Sequence, residues 1–302
     1  LRTVFLGTSD FAAALLRDLA AAAGGAHRPA LVLTRPDRPA GRGRRLSSPP
    51  VADAARELGV ELAQPDSVND RSTRELIAAA RPRAVIVCAF GALIKEPLLS
   101  EHEMLNVHPS LLPRWRGAAP IERAIMAGDS ETGVSIMRLT AGLDSGPVWE
   151  AATEAIAAED TYGTLAARLQ RLGSALLGRA LAELDAGGAL SFVAQDERHA
   201  TYAEKIGSAD RLLDPTRPAA EVERAVRALH PHLGARLALP DGSLLGVRRA
   251  ALVPDAPPGE GLYGSSGRLL LACSPGALEL IEVQPAGGRA MDGAAYLRGH
   301  AR

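Results

Sequence analysis

Short, nearly continuous apolar runs alternate through the first half of the chain with longer segments whose apolar positions recur every three to four residues. Residues 3–6, 30–34 and 84–89 show the first pattern and predict strands; residues 11–22, 51–58 and 72–80 show the second and predict helices. The run at 84–89 is apolar on both faces, as expected of a central parallel strand covered on each side. Gly7-Thr8-Ser9-Asp10 supplies a turn with capping residues between the first strand and the first helix. This alternation predicts a doubly wound, mostly parallel sheet whose ligand lies at the carboxyl ends of the strands.

A helical pattern over 161–185, then Gly187-Gly188 and the polar Gln195-Asp196-Glu197-Arg198, lead out of this domain. The boundary is placed near Lys205, dividing residues 1–203 from 204–302. After a helix at 219–229 the apolar runs become short, at 236–239, 244–248, 269–272 and 278–283. Turns at Pro240-Asp241-Gly242 and Ser274-Pro275-Gly276 separate them, which predicts a small antiparallel barrel. The 302 residues, 47% hydrophobic, suffice for two cores. The Ala-rich segment at 12–23 is interrupted by Arg17-Asp18 and reads as a helix, not as a signal peptide or membrane span. Cys88 and Cys273 stand far apart with no metal-like spacing, which suggests buried thiols in a reducing, cytoplasmic setting. Gly41 and Gly43 neither follow a strand nor open a helix, so no dinucleotide fingerprint is present and a nicotinamide cofactor is not expected.

The chemistry concentrates at Asn106-Val107-His108-Pro109. At the end of a strand, Asn106 and His108 share one side while Val107 points away, and Pro109 stops the strand. An amide able to hold a developing oxyanion beside an imidazole able to move a proton is the minimum equipment for acyl or formyl transfer. Pro109 and Pro113 stiffen the segment between them, and Gly117 gives the backbone room to approach a ligand. Asp144 lies in the loop Ala141-Gly142-Leu143-Asp144-Ser145-Gly146, where a plain turn role is also open to it. Trp115 is open to stacking on a substrate or to packing. The net charge of −1 conceals a basic run at 35–45, five arginines against Asp37. Its Pro and Gly content excludes a helix or central strand and predicts a mobile loop, either a solvated surface or a contact for phosphates.

Asn106, His108 and Asp144 in these surroundings resemble the catalytic set of the folate-dependent formyltransferases, most closely the branch that acts on methionyl-tRNA. The likeness covers nearly the whole chain. It begins at Val4-Phe5-Leu6-Gly7-Thr8-Ser9-Asp10-Phe11, runs through the string at 110–120 and Ala127-Gly128-Asp129 to Gly133-Val134, and returns at Gln284-Pro285-Ala286-Gly287-Gly288. It implies an OB-like, tRNA-binding second domain. It also implies 10-formyltetrahydrofolate as formyl donor and the α-amine of methionine on initiator tRNA as acceptor, without a metal and in a monomer.

By the same likeness Phe90, Gly91, Ala92, Leu93 and Ile94, with Ser110, Leu111, Leu112 and Pro113, line the folate site. Arg38, Arg42, Arg44 and Arg45 contact tRNA, with Arg42 the best match. The other histidines have no catalytic context. Three departures stand out: Pro109 where some relatives have Gly, Ser145 where many have Thr, and Leu213-Asp214-Pro215 in place of a Trp-containing segment. Leu1 as first residue suggests that an initiator Met, or a little more, is absent. A formyltransferase of amino-sugar nucleotides would share the three side chains but lack the basic run; a tRNA-binding module without catalysis would not keep them.

Overall fold

The computed structural model describes residues 1–40 and 45–300. In chain order the elements are β1 (Thr3–Gly7), α1 (Asp10–Ala21), β2 (Leu31–Leu33), β3 (Arg38–Ala40), β4 (Arg45–Ser47), α2 (Pro50–Leu58), β5 (Glu61–Ala63), α3 (Arg71–Ala79), β6 (Ala84–Cys88), α4 (Leu98–Glu101) and β7 (Met104–His108). There follow β8 (Arg116–Gly117), α5 (Pro120–Ala127), β9 (Glu131–Arg138), β10 (Val148–Ala155), α6 (Tyr162–Asp185), β11 (Tyr202–Ala203) and α7 (Ala219–Leu229). The chain ends with β12 (Ala235–Ala238), β13 (Leu244–Leu252), β14 (Leu262–Ser265), β15 (Arg268–Ala272), β16 (Ala277–Gln284), β17 (Met291–Asp292) and α8 (Gly293–His300). Two compact units form: Leu1–Ala118 with Thr132–Glu154 and Ala166–Tyr202, and Ala119–Glu131 with Ala155–Leu165 and Ala203–Arg302. The second therefore draws in two segments that a single cut after residue 203 leaves in the first.

The first unit is built on a seven-stranded sheet of order β10-β9-β7-β6-β1-β2-β5. Strands β5, β2, β1, β6 and β7 run parallel, and β9 pairs antiparallel with β7. The chain winds from β1 outward to β2 and β5, then returns to β6 on the other side of β1. The switch point thus falls between β1 and β6, the place where sheets of this kind bind ligands at their carboxyl ends. Every residue of β1, β6 and β7 is buried. Val4, Leu6, Leu31, Leu33, Val85 and Val87 pack on one face with Ile77 and Leu98, and this cluster also takes in Phe90 and Ile94 from the loop after β6. Burying each of those two anchors contributes roughly 1.5–3 kcal/mol. Ser9 caps α1 by accepting from the Ala12 amide at 3.3 Å, as its place in the turn predicts. Gly7 is required there, since a Cβ would lie 2.7 Å from the Phe5 ring and 2.9 Å from the Ala12 Cβ.

The basic run departs from the expected irregular loop. Its flanks pair as an antiparallel ribbon, with Arg38 opposite Ser47, Pro39 opposite Leu46 and Ala40 opposite Arg45. Pro39 is tolerated because a two-stranded ribbon consists only of edges, where a missing N–H is harmless. Gln64 Nε2 donates to Arg35 O at 3.0 Å and to Asp37 Oδ1 at 2.7 Å, fastening the base of the ribbon. Arg42 and Arg44 lie outside the described residues.

In the second unit β12-β13-β16-β15-β14 form an antiparallel sheet, with β17 added to β16. The predicted helix at 219–229 is α7, and its Val222, Val226 and Leu229 join Leu245, Val247, Leu278 and Leu280 in one core. Strand β14 and helix α8 carry too short an apolar signal to be read from sequence. Among the described residues no helix is long and apolar enough to cross a membrane. Both cysteines are free, Cys88 buried and Cys273 partly so. Burial pushes the Cys88 thiol up to about 12 and that of Cys273 to about 11. At pH 8 the native protein is therefore expected to resist Ellman's reagent at Cys88 while the denatured chain reacts at once; rapid labelling of native Cys88, mapped by mass spectrometry, would contradict the packing described.

Candidate active site

Strand β7 sets the geometry. Asn106 lies opposite Val87 of β6 and Met137 of β9, and His108 lies opposite Ser135. Period-2 alternation sends Val107 to the face covered by α6, where its side chain lies close to Gly173. Asn106 and His108 turn to the other face and are 6% and 4% exposed. The strand ends at His108, before Pro109, as predicted.

Asp144 arrives from the loop between β9 and β10. The loop leaves with Leu139 N–H donating to Met104 O at 2.9 Å and closes with Arg138 N–H donating to Pro147 O at 2.9 Å. Gly146 sits where a side chain would run into the Arg138 carbonyl. Within this closed loop Asp144 adopts φ 44°, a left-handed conformation that residues with a Cβ seldom take. Its Oδ2 accepts the Gly117 amide at 2.8 Å and faces His108 Nδ1 at 3.7 Å; its Oδ1 lies 3.5 Å from Asn106 Nδ2. The first is a hydrogen bond, whereas the other two are at ion-pair and limiting contact distances. Asp144 is thus a turn residue and a member of the site at once.

The tautomer of His108 follows from its other neighbour. Nε2 lies 2.9 Å from the Trp115 carbonyl oxygen, which can only accept, so Nε2 carries the proton. In the neutral ring Nδ1 then holds the lone pair, directed toward the Asp144 carboxylate. Trp115 itself has φ 58°, its amide donates to Thr201 Oγ1 at 2.9 Å, and the Arg114 guanidinium lies 5.5 Å from its ring centroid. Its clearest part in the site is its carbonyl.

The two expected folate loops flank this strand. In the first, Phe90 and Ile94 are buried, while Gly91, Ala92 and Leu93 are exposed, Leu93 by 65%. Thr8 Oγ1 donates to Phe90 O at 2.7 Å, Arg35 donates to Gly91 O, and Asn69 Nδ2 donates to Leu93 O at 2.8 Å. These three carbonyls are held by the protein. In the second, Ser110 is fully buried and its hydroxyl donates to Arg114 O at 2.6 Å. Leu111, Leu112 and Pro113 are partly buried.

Sequence reading missed the layer behind Asp144. Arg116, 2% exposed, donates to Gln195 Oε1 and to the Glu197 carboxylate, and Gln195 reaches the Asp144 loop. The Glu197 hydrogen bond holds the Arg116 guanidinium above its ordinary pKa, and the same bond holds the Glu197 carboxyl below its own. No local pattern marks these residues, because their partners lie far away in sequence. The remaining histidines stay out of the site; His232, for example, meets Glu122 at 2.9 Å and stacks on Tyr162. Among the described residues no group of three His, Cys, Asp or Glu side chains is placed to hold a metal ion.

Comparison with known proteins gives the family. Residues 1–181 match the formyl transferase family and residues 205–301 match the formyl transferase C-terminal domain. The chain belongs to the formyl transferase family. It is 42% identical over 303 residues to the methionyl-tRNA formyltransferase of Neisseria meningitidis serogroup C, covering 99% of this chain and 97% of that protein. To the methionyl-tRNA formyltransferase of Methylococcus capsulatus it is also 42% identical, covering 100% and 97%. The crystal structure of HypX from Aquifex aeolicus in complex with tetrahydrofolic acid shares the fold at TM-score 0.65 and 18% identity, covering 98% of this chain and 46% of that one. This formyltransferase is accordingly an enzyme of group transfer.

Ser135 ties β9 to the second loop, because its hydroxyl donates to Ser110 O at 2.7 Å and accepts from Leu112 N–H at 3.1 Å while fully buried. Ser135→Ala leaves both backbone groups unpaired and is expected to cost about 1–3 kcal/mol. A urea midpoint equal to that of the parent would show that the hydroxyl does not hold the loop.

Proposed function

We propose that the chain transfers a formyl group from 10-formyltetrahydrofolate to the α-amino group of methionine on initiator methionyl-tRNA, for translation initiation in the cytoplasm. The observation that carries the chemistry is the convergence of Asn106, His108 and Asp144 at the end of β7, beside the switch point. Methionyl-tRNA formyltransferase relatives over nearly the full length support the choice of acceptor. The acceptor is already a nucleophile, so the protein has to supply an oxyanion donor and a proton carrier. Cys88, with its thiol pushed up to about 12, is no thiolate nucleophile.

The donor, when bound, supplies the formyl carbon. The 90–94 loop offers a flat heterocycle an apolar side chain, since Leu93 stands exposed, on a backbone held in place by Thr8 and Asn69. Phe90 to Ile94 and Ser110 to Pro113 would hold it. Asn106 Nδ2 donates to the carbonyl oxygen as negative charge collects there; losing such a donor costs about 3–4 kcal/mol in the barrier. His108 takes at Nδ1 the proton that the amine loses on forming the new N–C bond. It returns that proton to the nitrogen that departs as the old C–N bond breaks, so the transfer is proton-balanced. Asp144 faces Nδ1 and stabilises the imidazolium that exists between the two transfers. Residues 1–203 carry this chemistry, and 204–302, with an OB-like antiparallel sheet, bind tRNA.

Arg38, Arg42, Arg44 and Arg45 serve as the phosphate contacts of the acceptor end. The support is charge and placement: Arg38 and Arg45 lie on opposite strands of the ribbon that brackets Arg42 and Arg44 in sequence. Arginine's planar fork matches phosphate oxygens.

Asn106→Ala, His108→Ala and Asp144→Ala are each expected to lower turnover by about 10²-fold or more with tRNA binding retained, since their work is done in the transition state. Near-parental turnover by His108→Ala in a steady-state formylation assay would end this mechanism. Methionyl-tRNA affinity should fall steeply with salt, and Arg42→Ala with Arg44→Ala should flatten the slope while donor affinity stays level. Parallel salt slopes for parent and variant would return the basic run to plain surface.

A further inference from the structure

Gln195 has an environment that uses each end of its amide. Its Nε2 donates to Asp144 O at 2.8 Å and to Gly146 O at 2.6 Å. Its Oε1 accepts from Arg116 Nε at 3.0 Å and from Arg116 Nη2 at 2.9 Å. The orientation is dictated by chemistry, because reversing the amide would set NH₂ against a guanidinium and an oxygen against two carbonyls. Arg116 is hydrogen-bonded at both ends. Its amide donates to Thr201 O at 2.9 Å, and its guanidinium also bonds Glu197 at 2.8 and 2.7 Å.

We propose that Gln195 is a positioning residue that couples the buried Arg116 to the loop bearing Asp144 and so sets the carboxylate against His108. The proposal rests on the assignment of Asp144 to the transfer site. Asp144 holds a left-handed backbone without being a glycine, and the two carbonyls that Gln195 ties bracket the turn. The neighbouring residue of Arg116 grips the other end: the Gly117 amide binds the Asp144 carboxylate directly at 2.8 Å. Arg116 and Gly117 therefore hold Asp144 twice, the side chain through an amide of the main chain and the main chain through Gln195. A shift of about 1 Å in a reacting group can lower a rate by about 10²-fold, so a small relaxation of this loop is enough to matter.

Gln195→Glu separates the two ends of the amide. The carboxylate still accepts from Arg116 but has no N–H for the Asp144 and Gly146 carbonyls. Q195E and Q195M are to be measured in the full chain by single-turnover formylation of methionyl-tRNA, alone and combined with D144A. The expected result is a loss of about 10- to 100-fold in the transfer rate, with KM for donor and methionyl-tRNA within about twofold of the parent. In the D144A background the same substitutions should change the rate by less than about twofold, because their effect passes through Asp144. Q195M is judged by the same criteria if Q195E does not fold. A parental rate in the Gln195 variants, or a loss that multiplies undiminished onto D144A, overturns the positioning role. D144A at the parental rate would instead remove the site assignment, so the two failures are distinguishable.

Discussion

The hydrogen bond from the Gly117 amide to the Asp144 carboxylate joins two irregular segments that the sheet alone would leave apart. One runs on from β7 and returns through Trp115, whose carbonyl fixes the His108 tautomer. The other bulges between β9 and β10 and brings Asp144 back over the end of β7. Both contain a non-glycine residue at positive φ, Trp115 and Asp144, so each spends conformational energy to reach its place. Strain of this kind persists where the surroundings over-determine it. Here the surroundings are Thr201, Arg116, Gln195 and the closed ends of the loop.

The sheet decides where this happens. Because β1 sits between β2 and β6, the loops after β1 and β6 open beside one another, and Thr8 ties them through the Phe90 carbonyl. Phe90 and Ile94 sink into the core on either side of three exposed residues. The 90–94 loop and the Asn106/His108 pair thus arise from neighbouring parallel strands, β6 and β7, with the core setting the spacing between them.

Asn106 and His108 were legible because a period of two is a local property, and the strand-ending proline is visible beside them. Helix α7 was legible for the same reason, since its apolar stripe is complete within eleven residues. Asp144 was legible only through resemblance; its own surroundings read equally as a turn, and it is one. Gln195 stayed hidden because it meets Asp144 across 51 positions, and nothing near it marks a partner. The pairing of 38–40 with 45–47 was hidden by the proline and glycine content of the sequence around it, which argues against a central strand but not against a pair of edges. The interleaving of the two units escaped as well: Ala119–Glu131 packs with residues far downstream, and no composition change announces it.

The central claim is that this site places a formyl group on the methionine amine of a charged initiator tRNA. The most direct measurement supplies the purified chain with 10-formyltetrahydrofolate carrying a labelled formyl group, together with methionyl initiator tRNA and an amino-sugar nucleotide in equal amounts. The account predicts label in N-formylmethionine released from the tRNA and none above background in the sugar. Label in the sugar alone, or in neither acceptor while the protein remains folded, would contradict it.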